Sequence, residues 1–192
     1  MNYLLCCHNE SRLPDRFYGD WRTLVFNFAE NLANEGKWRN VRSMVLGLPT
    51  APGDLFWFPD PDLEFAPTLP ERLFEVARER GIDLCQPAVS RDSICSHPHL
   101  FARPDDYPRQ VDFCEIMCPL FSLAALKRNL WTFGLNYSGF GIDYLWGRKE
   151  TCYVIDWLEV RHPSSPGYHN TARKAGFPDP NRECEEVRRL YL

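Results

Sequence analysis

Asp54-Leu55-Phe56-Trp57-Phe58-Pro59-Asp60-Pro61-Asp62 is an apolar run that ends at a proline and opens onto two acids. The run reads as a strand, and Pro59, which has no N–H to give a ladder, stops it. Pro70 to Gly81 follows with Leu73, Phe74, Val76 and Ala77 at helical spacing. Pro70 sits in the first turn of that helix and Gly81 at its C-terminus. Leu84 to Val89 is the next apolar strand. Strand, helix, strand in this order predicts a βαβ unit, hence an α/β fold with a mostly parallel sheet.

Working outward, Tyr3 to Cys7 reads as a buried first strand and Thr23 to Phe28 as a second. A helix falls around Val41 to Leu46. Arg91 to Arg109 is polar and reads as a surface loop. Val111 to Met117 reads as a strand, Ser122 to Phe133 as a helix with Ser122 as N-cap, and Tyr153 to Val160 as the last strand. Residues 1–163 form the expected catalytic unit; 164–192 are a polar tail, mobile or helical.

The 192 residues carry 44% hydrophobic and 25% charged side chains, an ordinary globular balance within the size of one domain. A net charge of −4 argues against a broad phosphate-backbone footprint. No apolar run reaches the ~20 residues of a membrane helix, and the start, Met-Asn-Tyr-Leu-Leu-Cys-Cys-His, lacks the basic region of a signal peptide. A cytoplasmic protein is expected. The eight cysteines include no Cys-x-x-Cys pair, so they read as small buried hydrophobes rather than a zinc site or a disulfide framework.

Four places can carry chemistry. Asp60 and Asp62 lie one residue apart beyond a strand end, where ligands of open α/β sheets collect; they make either a solvated turn or a seat for Mg²⁺ or Mn²⁺. Asp143 follows Gly139 and Gly141 and opens a short helix, as a dipole-stabilised carboxylate or as a general base. His162, at the end of the last strand, is a surface histidine or a third metal ligand. Glu115 stands in an apolar segment and needs either a buried Arg partner or a polar cavity.

Five blocks in order carry a resemblance: Phe-Trp-Phe-Pro-Asp-Pro-Asp-Leu-Glu (56–64), Leu-Cys-Gln-Pro-Ala-Val-Ser (84–90), Cys-Glu-Ile-Met-Cys-Pro-Leu-Phe-Ser (114–122), Ser-Gly-Phe-Gly-Ile-Asp-Tyr-Leu-Trp (138–146) and Val-Ile-Asp-Trp-Leu-Glu-Val-Arg-His (154–162). They resemble a family of bacterial and plant GT-A-like glycosyltransferases with an Asp-x-Asp motif. The resemblance implies a GT-A (Rossmann-like) single domain and a metal-dependent transfer from a nucleotide-sugar donor, UDP- or GDP-type, to an acceptor hydroxyl with inversion. It implies Asp60, Asp62 and His162 as ligands of Mn²⁺ or Mg²⁺, and Asp143 as base. Asn9, Ser11, Arg12 and Gln86 become candidate donor contacts, and Glu115 and Trp146 candidate acceptor contacts. The acceptor class stays open among glycan, small molecule, protein and modified nucleobase. A non-catalytic binding module on the same fold is the alternative. A nucleotidyl or phosphoryl transferase ranks last, since no glycine-rich Lys-Ser/Thr loop is present.

Overall fold

Leu55–Trp57 (β3) is an interior strand of the sheet, and its alternation serves two cores at once. Leu55 and Trp57 face one apolar cluster with Leu73, Phe74 and Ala77, while Phe56 and Phe58 face another with Trp38, Phe121 and Trp146. A strand buried on both faces carries a continuous apolar run. The computed structural model describes residues 1–8, 13–27, 36–163 and 177–192.

The other strands are β1 (Asn2–His8), β2 (Arg22–Asn27), β4 (Glu64–Phe65), β5 (Leu84–Val89), β6 (Arg109–Val111), β7 (Leu120–Ser122) and β8 (Cys152–Arg161). Their order is β2-β1-β3-β7-β5-β8-β4, with β6 also on β8. β1, β2, β3, β5 and β8 run one way; β4, β6 and β7 run against them. Helices α1 (Gly36–Gly47), α3 (Leu123–Asn129) and α4 (Ile142–Lys149) feed the Phe56 face, and α2 (Leu69–Glu79) the Trp57 face. The result is a three-layer α/β domain with helices flanking a mostly parallel central sheet. Helix α5 (Pro180–Tyr191) packs on α4.

Local signals held where they were local. β5 spans the expected six residues, and Ser122 Oγ caps α3 by accepting from Ala125 N at 3.1 Å. Three expectations differ from the structure. The strand expected over Val111 to Met117 does not form: β6 ends at Val111, and the chain crosses the sheet end, where Glu115 N donates to the Gln86 side chain instead of to a ladder. The βαβ unit is split, because β7 inserts antiparallel between β3 and β5. The expected helix Ser122 to Phe133 is α only to Asn129 and then a 3-10 turn through Gly134. The seven cysteines with described side chains form no disulfide. No described helix is long and apolar enough to cross a membrane.

Candidate functional site

Beyond β3, Asp60-Pro61-Asp62-Leu63 is a β-turn closed by Leu63 N donating to Asp60 O at 3.3 Å. Pro61 occupies its second position, where a fixed φ favours the turn. Two bonds anchor it: Asp60 N donates to Met117 O at 2.8 Å, and the Arg16 guanidinium holds Leu63 O at 2.8 and 3.0 Å. The turn leads into β4, whose Glu64 pairs with Arg161 of β8. That register brings Asp62 beside His162, with Oδ2 to Nε2 at 3.4 Å.

The two acids are therefore met by two cations. Lys37, in the first turn of α1, forms an ion pair with Asp60 and donates to Ile116 O at 3.3 Å. A lysine at a helix N-terminus opposes the dipole, and Asp60 supplies the compensating charge. The Lys37 and Asp60 side chains are 15% and 30% exposed. Burial raises the Asp60 carboxyl above its ordinary value, with Lys37 acting against it. The contact with His162 holds Asp62 below the usual carboxylate range, and the same contact lifts His162 to about 9. His162 is fixed by its N donating to Ser93 Oγ at 3.0 Å and by Nδ1 lying 3.1 Å from Ile94 O.

Two further acids lie within electrostatic reach. Asp143 opens α4 behind the left-handed Gly141, and burial pushes it up to about 7 despite backbone hydrogen bonds, among them Tyr144 N at 3.0 Å. Glu115 is also raised to about 7, by burial and then by Asp143 and Asp60, with His162 and Lys37 opposing. Among the described residues no Arg pairs with Glu115; the buried Arg pair of this region joins Arg109 to Asp156, at 2.9 Å on each carboxylate oxygen.

The remaining candidates divide. Gln86 is fully buried, accepting from Glu115 N at 2.7 Å and donating to Pro87 O at 3.2 Å, so it braces the site from within. Trp146 is equally buried among Trp38, Phe121 and Phe133, its Nε1 donating to Thr132 Oγ1 at 2.9 Å. Both side chains are fully buried, Gln86 behind the acidic end and Trp146 in the aromatic core. Asn9, Ser11 and Arg12 lie outside the described residues. Sequence reasoning missed Lys37; its one signal was a cation at the start of a helix.

The loop carrying Asp143 is clamped from both sides. Tyr137 N and Ser138 N both donate to the Glu183 carboxylate of α5 at 2.8 Å. A Cβ on Gly139 would fall 2.2 Å from the Trp38 ring. A concavity of about 610 Å³, lined in part by Asp112, Phe113, Tyr144 and Arg148, lies beside α4 and includes none of the four candidate acids, nor His162.

Two carboxylates and an imidazole are donors that Mn²⁺ or Mg²⁺ accepts, so the chemistry of the set fits a divalent cation. It is not a preformed cage. Among the described residues no group of three or more His, Cys, Asp or Glu is arranged to hold a metal, because Asp60 and Asp62 are turned to Lys37 and His162.

No family model matches the chain, and no curated protein matches it. Solved structures do. The chain is similar to A197 from STIV (TM-score 0.52, 15% identity, 85% of this chain and 86% of that one). It is also similar to S. aureus TarS 1-349, crystallised with UDP-GlcNAc (TM-score 0.56, 13% identity), covering 98% of this chain and 64% of that one. The shared feature is the fold, and it is GT-A-like.

Proposed function

We propose that the chain is a glycosyltransferase moving a sugar from a UDP- or GDP-type nucleotide-sugar to an acceptor hydroxyl, with inversion. One observation carries the reading: Asp60, Asp62 and His162, from the carboxyl ends of two parallel strands, gather with Glu115 and Asp143 at one end of a GT-A-like sheet. That end is where open α/β sheets bind ligands, and the similar TarS structure holds UDP-GlcNAc. Fold likeness by itself does not give function; the acids placed at that end are what favour transfer.

In this reading Lys37 and His162 face the diphosphate end, and a buried carboxyl near neutrality takes the acceptor proton. Asp143, nominated by the sequence, and Glu115 are the two such groups. A divalent cation held by Asp60, Asp62 and His162 would supply charge to offset a departing diphosphate.

Thermal stability against a panel of UDP- and GDP-sugars, with and without Mn²⁺, tests the reading, since a bound donor stabilises the fold by mass action. The expected result is a rise with one donor, lost in Asp60→Ala and Asp62→Ala, together with slow donor hydrolysis. No response to any nucleotide-sugar or nucleoside diphosphate with Mn²⁺ present rejects it. Binding without turnover marks the non-catalytic module instead.

A further inference from the structure

We infer that Glu115, not Asp143, is the general base that takes the proton from the acceptor hydroxyl; this rests on the glycosyltransferase reading above. The observation behind it is a carboxylate oxygen with nothing to bind. Glu115 Oε2 is sealed from solvent and has no hydrogen-bond partner among the described residues. Buried polar atoms are almost always satisfied, and an exception asks for a reason.

The backbone around that oxygen is tied down. Glu115 N donates to the buried Gln86 Oε1 at 2.7 Å, Ile116 O accepts from Lys37 at 3.3 Å, and Met117 O accepts from Asp60 N at 2.8 Å. Three consecutive residues are thus held by β5, by α1 and by the acidic turn. The segment that failed to become a strand is held in this conformation, with Glu115 among the charges of the acidic end. A fixed carboxylate with an unpartnered oxygen has an acceptor site left for a donor, and an acceptor O–H is such a donor.

Asp143 is differently placed. Its Oδ1 accepts from Tyr144 N at 3.0 Å. It satisfies an amide group at the start of α4, which a helix N-terminus requires. Its Oδ1 serves the fold.

The step balances as a single displacement. The acceptor oxygen attacks the anomeric carbon and forms the new C–O bond. The bond from that carbon to the diphosphate oxygen breaks, and its electron pair leaves with the nucleoside diphosphate. The acceptor proton goes to Glu115 Oε2. Burial, which brings the Glu115 carboxyl to about 7, suits it to accept a proton near neutrality.

The test compares Glu115→Gln with Asp143→Asn in the full chain, using the donor from the UDP- and GDP-sugar panel that stabilises the wild type, Mn²⁺, and water as acceptor. Glu115→Gln should bind that donor as the wild type does and lose about 10²–10⁴-fold in hydrolysis. It should unfold at or above the wild-type temperature at pH 8, since it removes an unsatisfied buried charge. Asp143→Asn should unfold at lower temperature and lose less rate once folded. A Glu115→Gln rate within about threefold of wild type, with Asp143→Asn inactive but folded, overturns the assignment and leaves the glycosyltransferase reading standing. A marked drop in Glu115→Gln stability at pH 8 overturns it too, by making the carboxylate structural. If the wild type binds a donor without turnover, there is no base to assign; if it binds none, the glycosyltransferase reading itself falls.

Discussion

Replacing Lys37 by Met removes the cation facing Asp60 while keeping most of the side-chain volume. Exposed ion pairs contribute about 0–1 kcal/mol, and breaking a fully buried one costs about 3–5 kcal/mol. With side chains 15% and 30% exposed, the Lys37–Asp60 pair lies between these limits, so the loss should be roughly 1–3 kcal/mol at pH 7. The pH dependence has a definite sign. Asp60 is already raised above 3.8 by burial, and Lys37 restrains the rise. Without Lys37 the folded carboxyl titrates higher still. The mutant's deficit should therefore be absent below pH 3.8, where Asp60 is protonated in both states, and should grow as pH rises through the folded value. Urea unfolding from pH 3.5 to 8 measures it, and Lys37→Met/Asp60→Asn should recover most of the loss. Mn²⁺ should stabilise Lys37→Met more than wild type, because Asp60 no longer has an ammonium to exchange; saturation at a hundredfold over Kd is worth ~2.7 kcal/mol. A deficit that does not change with pH, or additive single and double mutants, refutes the electrostatic account of Asp60.

Asp62→Asn should drop the His162 imidazole from about 9 toward 6.5, read by NMR titration. A raised histidine stabilises the fold fully below pH 6.5 and loses that contribution as pH climbs through about 9; the variant should lack this alkaline loss, and an unmoved His162 titration would disprove the pairing. Gly139→Ala should cost at least about 2–3 kcal/mol, because φ is +82° and the new Cβ meets a Trp38 ring held by Phe58, Phe133 and Trp146; thermal unfolding checks it, and a near-neutral effect would mean the loop is not clamped.

What was legible in the residues was local. The 84–89 strand, the Ser122 cap and the apolar run stopped by Pro59 each depend on neighbours within a few positions, so periodicity and turn chemistry suffice to read them. The acidic turn was legible too, since Pro61 favours it wherever the chain goes. The order of strands was not: β7, of three residues, inserts between β3 and β5 through contacts from residues 55–57 and 84–85 that no local pattern announces. The same reason hid the partners of the acids. Lys37 lies 23 residues from Asp60, Glu183 45 from Ser138, and Gln86 29 from Glu115. From the chain alone came two aspartates at a strand end and a histidine at another. Only the tertiary structure decided that the acids face Lys37 and His162, that Trp146 and Gln86 are core, and that one oxygen of Glu115 has no partner among the described residues, because burial and pairing are properties of segments brought together by folding.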